Sequence, residues 1–330
     1  LVPCSHITGR VLLRLYPFTL FEYNRRPAPA RLPHTEVRAM NNPTNPENYS
    51  DLSIQWFPGH MTKTLRMIEK EIQNVDMVIE ITDARIPAVS RSPEVVAATR
   101  GKKRLIVLNK CDLADDAATS RWILSFEKQG FRAIAVDSTK RRSAEQAKSC
   151  ILQLAEGRPP RAGVMKPRAM VVGVPNCGKS TFINCLAGER VAEAEDRPGV
   201  TRGKQWISLD FVELLDVPGV LCKRFDDQSV AAKLAFTGAI RDDILDTELL
   251  AVKLLDVLKT GYAERLTERY GIAAGPADDS YELLEAVARR RGKLLRGAQP
   301  DTERAAAILL DEYRAGKLGR ITLEEPENGK

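Results

Sequence analysis

Histidine and aromatic residues are scarce in this 330-residue chain, which has three His and 6% Phe, Tyr and Trp. Six Cys stand at 4, 111, 150, 177, 185 and 222 with no CxxC spacing. That scatter excludes a zinc-finger pattern and a disulfide framework, and it reads as free thiols in a reducing compartment. No apolar run approaches the length of a membrane span. Acids are outnumbered, 44 against 50 Lys and Arg, for a net charge of +6 and a pI of about 9.0. Such an excess favours a polyanionic partner, although a nucleotide-binding enzyme can be basic for other reasons. The hydrophobic content of 43% is enough for real cores, and the length leaves room for two domains.

Residues 1–50 differ from the rest. They are rich in proline, carry the pair Arg25-Arg26 and contain no Lys. Arg richness with few acids fits a mitochondrial transit peptide. A disordered tail fits as well. So does a segment that is not normally translated, with Met40 just ahead of the ordered part. The expectation is a disordered or non-native extension over 1–50.

Beyond it, apolar periodicity predicts a helix over 62–74. Strands are predicted at Met77–Ile81, Arg104–Leu108, Ala133–Val136, Ala169–Val172 and Val212–Leu215. Helices are predicted at 120–129, 143–155 and 181–187, with a basic linker from Arg158 to Pro167 and a polar loop over 189–205. This alternation implies an α/β domain over 51–228, a mostly parallel sheet with helices on both faces. Past 228 the strand signal fades, and helices at 247–270, 280–292 and 301–315 predict a mostly helical domain over 229–330. There is no internal repeat.

Three motifs end predicted strands. Gly173-Val174-Pro175-Asn176-Cys177-Gly178-Lys179-Ser180 fits a phosphate-binding loop, with a strand before it and a helix after it. Backbone N–H groups over Asn176, Cys177, Gly178, Lys179, Ser180 and Thr181 suit a nucleotide phosphate. Lys179 would neutralise the β- and γ-phosphates, and Ser180 would hold Mg²⁺. Asn109-Lys110-Cys111-Asp112 fits a guanine-reading tetrad. A carboxylate at Asp112 accepts two N–H bonds from guanine that adenine does not offer. In that tetrad the Lys110 stem packs on the base while Asn109 braces the loop. Asp216-Val217-Pro218-Gly219 fits the second metal-side motif, with Asp216 on Mg²⁺ and the Gly219 amide near the γ-phosphate. Thr201 is the candidate switch threonine completing the Mg²⁺ shell. Ser138 and Thr139, at a strand end, are the candidate base loop.

In common small GTPases the phosphate loop comes first and the guanine tetrad later. Here the order is reversed, which describes a circularly permuted P-loop GTPase. With Trp56-Phe57-Pro58-Gly59-His60-Met61, Thr82-Asp83-Ala84-Arg85-Ile86-Pro87 and Pro198-Gly199-Val200-Thr201-Arg202, the chain resembles the ribosome biogenesis GTPase A family from about residue 53 onward. The resemblance implies a cytoplasmic monomer acting in a late step of large (50S) subunit assembly, contacting ribosomal RNA and ribosomal proteins. It implies that GTP with Mg²⁺ is hydrolysed to GDP and phosphate slowly, until the subunit stimulates it.

Many GTPases place a water-orienting Gln after the Asp-x-x-Gly motif. This chain has Val220 and Leu221 there. The resemblance assigns the catalytic role to His60, with a helix-capping or packing role as the alternative. It also assigns Asn176 to a K⁺ ion beside the phosphates. The run Arg289-Arg290-Arg291-Gly292-Lys293-Leu294-Leu295-Arg296 holds five cations in eight residues without an acid. It reads as an RNA phosphate contact, extended by Lys102-Lys103-Arg104 and Lys140-Arg141-Arg142. Without stacking aromatics, backbone and shape recognition is expected. The other readings are a GTP-gated binding protein with a non-ribosomal partner, a mitochondrial ribosome assembly GTPase and an ATPase.

Overall fold

A fully buried strand, β1 (Met77–Asp83), forms the centre of a six-stranded sheet in the computed structural model. The structure describes residues 52–157, 165–192 and 204–326, which all fall in one compact unit. The extension over 1–50, most of the linker at 158–167 and the candidate Thr201 lie outside the described residues. The sheet order is β3-β2-β1-β4-β6-β5, with β2 at Lys103–Asn109, β3 at Arg132–Val136, β4 at Arg168–Val172, β5 at Gln205–Ser208 and β6 at Glu213–Asp216. Every pairing is parallel except β5 with β6.

Side-chain alternation covers both faces of this sheet. On β2, Leu105 and Val107 join the cluster that contains Ala147 and Ile151 of α4 (Arg141–Ala155). Ile106 and Leu108 join Trp122 and Phe126 of α3 (Asp116–Lys128) in a second cluster. β1 runs out one way through β2 and β3, and the chain then crosses to β4 on the other side of β1. That reversal opens a crevice at the carboxyl ends of β1 and β4, where ligands of open α/β sheets bind.

Several predicted boundaries move. α1 (Gly59–Glu71) starts ahead of the predicted 62, because Met61 is fully buried and needs the helix to reach the core. β5 falls between the predicted loop over 189–205 and the predicted strand at Val212, where no element is predicted, and it is a short antiparallel edge strand. α2 (Pro93–Ala98) and α6 (Gln228–Phe236) are additional helices. α6 buries Ala231, Ala232, Leu234, Ala235 and Phe236, nearly all round, so it lacks the one-sided stripe that marks a surface helix. α5 (Lys179–Ala187) follows the phosphate loop as expected.

The predicted helix over 247–270 is broken. α7 (Thr247–Gly261) and α8 (Ala263–Tyr270) meet at Tyr262, which leaves helical angles with φ −146°. α9 (Ser280–Arg290) and α10 (Thr302–Arg314) complete the helical part. Asp227, Asp246, Asp279 and Asp301 cap α6, α7, α9 and α10 through side-chain bonds to backbone N–H groups. Each such cap is worth about 1 kcal/mol. Phe236, Leu254, Leu284 and Leu309 of these helices belong to the same apolar cluster as Met170 and Leu215 of the sheet.

One ion cluster joins the helices. Glu312 on α10 accepts from Arg269 (2.8 and 3.0 Å), from Arg291 (2.7 Å) and from the Tyr270 hydroxyl (2.8 Å). Burial alone would raise its carboxyl, but bonds from Arg269, Tyr270 and Arg291 outweigh burial and hold it down to about 2. A depressed carboxylate stabilises above its ordinary value of 4.5 and loses that contribution as pH falls toward 2. Glu312→Gln should therefore cost on the order of 2 kcal/mol at pH 7 and little near pH 2. Urea unfolding of both proteins across this range checks it, and a pH-independent difference would refute the charge role.

Candidate active site

The phosphate loop turns on two left-handed residues, Asn176 (φ 56°) and Gly178 (φ 89°). A Cβ at Gly178 would collide with the Asn109 side-chain amide, so only glycine fits there. Lys179 is buried, and its Nζ donates to the carbonyl of Val174 at 2.9 Å and of Gly173 at 3.5 Å. Its ammonium therefore lies over the loop that would hold phosphates. Ser180 and Thr181 are half-buried on the first turn of α5. Cys177 is buried, and burial pushes its thiol up, which suits a packing role for the side chain.

Asp216 ends β6, in register with Val171 of β4. Its Oδ1 is buried and has no hydrogen-bond partner among the described residues. Burial pushes its carboxyl up to about 6, against the opposing charge of Lys179 and the Val217 N–H. A buried carboxylate oxygen without a partner is costly unless a cation joins it. Ser180 follows Lys179, whose charge acts on Asp216, and a hydroxyl with a carboxylate is a donor set that fits Mg²⁺, which takes oxygen ligands and keeps few from protein. No cluster of three or more His, Cys, Asp or Glu occurs among the described residues, so such an ion would lean on phosphate oxygens.

Gly219 lies against the phosphate loop. A Cβ there would sit 2.5 Å from Pro175 N and 2.7 Å from its Cα. The Val220 N–H donates to the Gly173 carbonyl at 3.2 Å. The stretch after Asp216 thus rides directly on the loop backbone, and both Val220 and Leu221 are buried apolar residues.

The base end is bonded to the phosphate end. The buried Asn109 side chain donates to the Cys177 carbonyl (2.9 Å) and accepts from the Ser138 hydroxyl (2.6 Å). Ser138 therefore orients Asn109, and Thr139 instead hydrogen-bonds Asp137. Lys110 is left-handed (φ 57°), and its Nζ donates to the Asn176 carbonyl at 2.6 Å. Two non-glycine residues in this region face each other across the site, the kind of strain that clusters where ligands bind. Asp112 is half-buried on a short 3₁₀ turn, Cys111–Leu113. The Asn176 amide nitrogen points to the carbonyls of Thr237 and Gly238, at 3.5 and 3.4 Å, past the end of α6.

His60 is exposed on the first turn of α1, and among the described residues no hydrogen bond ties its imidazole to Lys179, Ser180 or Asp216. The segment before it is anchored beyond Gly219. Gln55 bonds Phe225, and the Ile54 N–H donates to Gln228 at 2.7 Å.

The basic surface is smaller than expected. Arg104 is buried and paired with Glu80 at 2.6 Å. Lys102 donates to the Val75 carbonyl and Lys103 to carbonyls at the end of α4. Arg291 turns inward to Glu312. Arg104, Lys102 and Arg291 thus complete buried or half-buried polar groups, which a run of cations read alone does not reveal, whereas Lys103 stays exposed. Arg141, Arg142, Arg289, Arg290 and Arg296 remain exposed.

Two supporting residues carry no assigned role in the sequence reading. Asp83 lies 3.5 Å from Lys110 Nζ and is clasped by Arg85. An acid at the end of a fully buried strand is the signal that could have found it. Thr322, described below, sits in a tail whose Ile-Thr-Leu alternation is too short to weigh.

Residues 168–269 match a family described as 50S ribosome-binding GTPase. The chain is 43% identical over 284 residues to Ribosome biogenesis GTPase A of Bacillus cereus, spanning 83% of this chain and 94% of that protein. It is 33% identical over 293 residues to Mitochondrial ribosome-associated GTPase 1 of Mus musculus, spanning 82% and 90%. A GNP-bound YlqF structure from T. maritima superposes with a TM-score of 0.57 at 31% identity, covering 80% of this chain and 99% of that one.

Proposed function

The chain belongs to the ribosome biogenesis GTPase A family, and from that we infer that it hydrolyses GTP in a late step of large (50S) ribosomal subunit assembly. The observation that carries this reading is the bonding of the guanine tetrad to the phosphate loop, Asn109 to Cys177 and Lys110 to Asn176, beside Asp216, whose Oδ1 has no partner among the described residues. Asp112 reads the base, Lys179 and the loop amides hold the phosphates, and Gly219 follows the γ-phosphate. Ser180 and Asp216 are the residues that would hold Mg²⁺, which neutralises phosphate charge when bound. The Asn176 oxygen is the candidate K⁺ ligand.

Hydrolysis needs a group that orients water, and the aliphatic Val220 and Leu221 supply none. His60 fills that role on the assembling subunit, carried by a segment already tied to Phe225 and Gln228. A neutral imidazole positions or deprotonates water near pH 7. The helical part over 229–330 docks through exposed arginines on RNA phosphates, without base readout.

GTP turnover with and without immature large subunits, in K⁺ and in Na⁺, tests the whole reading. Turnover should rise with subunits and be higher in K⁺. No rise would sink the activation scheme. His60→Ala should lower stimulated turnover by about 10²- to 10⁴-fold while GTP affinity holds. Equal losses in both would make His60 structural.

A further inference from the structure

We propose that the C-terminal strap over 320–325 sets the position of the guanine-reading Asp112, with Thr322 as the positioning residue. This rests on the reading of Asn109 to Asp112 as the base-recognition tetrad.

The loop that carries Asp112 is tied down on its N-terminal side by β2 and by the bonds of Asn109 and Lys110. On its C-terminal side, two backbone groups flank Ala114, and the strap serves both. The Ile321 N–H donates to the Leu113 carbonyl at 3.0 Å. The Asp115 N–H donates to the Thr322 hydroxyl at 3.0 Å. Asp112 is therefore one residue from a backbone anchor that the far end of the chain provides. The Leu113 side chain is also wedged against Gly316, where a Cβ would meet it at 2.6 Å.

The strap is itself fixed. Tyr262, at the break between α7 and α8, donates its hydroxyl to the Thr322 carbonyl (2.8 Å) and accepts from the Thr322 N–H (3.1 Å). The Leu323 N–H donates to the Arg85 carbonyl at 2.8 Å. Trp122 donates to the Glu324 carbonyl at 3.0 Å, and the Glu324 carboxylate accepts from the Ala88 and Val89 N–H groups. Arg121 pairs with Glu325 and Arg320 with Asp116. Helices, tail and base loop thus share one hydrogen-bonded frame.

The test uses a difference between two bases. Guanine offers N1–H and the N2 amino group to a carboxylate, and hypoxanthine offers only N1–H. A displaced Asp112 loses more with GDP than with inosine diphosphate, so their affinity ratio reports its position and not overall stability. Calorimetry on the full chain should find this ratio reduced about five- to tenfold in Thr322→Val, which leaves the Asp115 N–H unpaired. Thr322→Ser, which keeps the hydroxyl, should restore it. Tyr262→Phe keeps the ring, loses both strap bonds and should lower the ratio in the same direction, which guards against misfolding of a single variant. An unchanged ratio in both Thr322→Val and Tyr262→Phe, while Asp112→Asn abolishes it, would overturn the proposal. An unchanged ratio in Asp112→Asn would instead remove the guanine reading beneath it.

Discussion

Asp112→Asn is expected to weaken GDP and GTP binding by about 10²- to 10⁴-fold, since each hydrogen bond to a charged group contributes about 1.5–3 kcal/mol and two are lost or weakened. The same change should raise affinity for xanthosine nucleotides. Xanthine carries an oxygen acceptor where guanine carries the N2 amino donor, and an Asn amide can donate to it. The loop itself should stay in place. Its fold is held by Asn109 on Cys177, by Lys110 on Asn176 and by the Leu113 and Asp115 backbone bonds, none of which uses the Asp112 side chain. Calorimetry with GDP and XDP reads both arms. Equal GDP affinity in variant and wild type would mean that Asp112 does not face the base.

Much of this site was legible because its residues are dictated locally. Gly173 and Gly178 sit where no Cβ fits, Lys179 and Ser180 open a helix, and Asn109 and Asp216 end buried strands. Motif order together with strand order then describes a circularly permuted GTPase fold, and the topology agrees. What escaped was non-local. α6 is apolar on nearly every side because it is buried, packing on α7 and α10, so periodicity cannot mark it. β5 spans four residues at a sheet edge, and its pairing with β6 decides its state, not its own composition. Arg291 and Arg104 look like surface charge until Glu312 and Glu80 arrive from distant elements.

Arg85→Ala should destabilise the protein by about 3–5 kcal/mol, the cost of leaving a buried carboxylate unpaired. Arg85 and Asp83 are both almost wholly buried. The guanidinium donates to Asp83 through Nε at 2.9 Å and Nη2 at 2.7 Å. It also donates to the Arg314 carbonyl and lies 5.2 Å from the Tyr313 ring centre. Burial alone would raise the Asp83 carboxyl, but the charges of Arg85 and Lys110 hold it down to about 2. Its contribution is thus full above the ordinary 3.8 and is lost as pH falls toward 2. Arg85→Lys should recover only part of the loss, since an ammonium lacks the two-pronged geometry. Urea unfolding at pH 7 measures it, and a cost under about 1 kcal/mol would show that water or a rearranged side chain replaces the pair. GDP affinity should fall as well, because Lys110 shares Asp83 with Arg85.

The bond between Asp115 and Thr322 spans 207 residues of chain. At synthesis rates of roughly 5–20 residues per second, that separation is about 10–40 s. For roughly the last two thirds of this interval the base loop and the phosphate loop both exist on the nascent chain, but the Thr322 hydroxyl does not. A growing polypeptide can therefore complete the triphosphate-holding half of its site well before the half that distinguishes guanine is secured. On the proposed role of Thr322, guanine selectivity is secured later in synthesis than the phosphate loop.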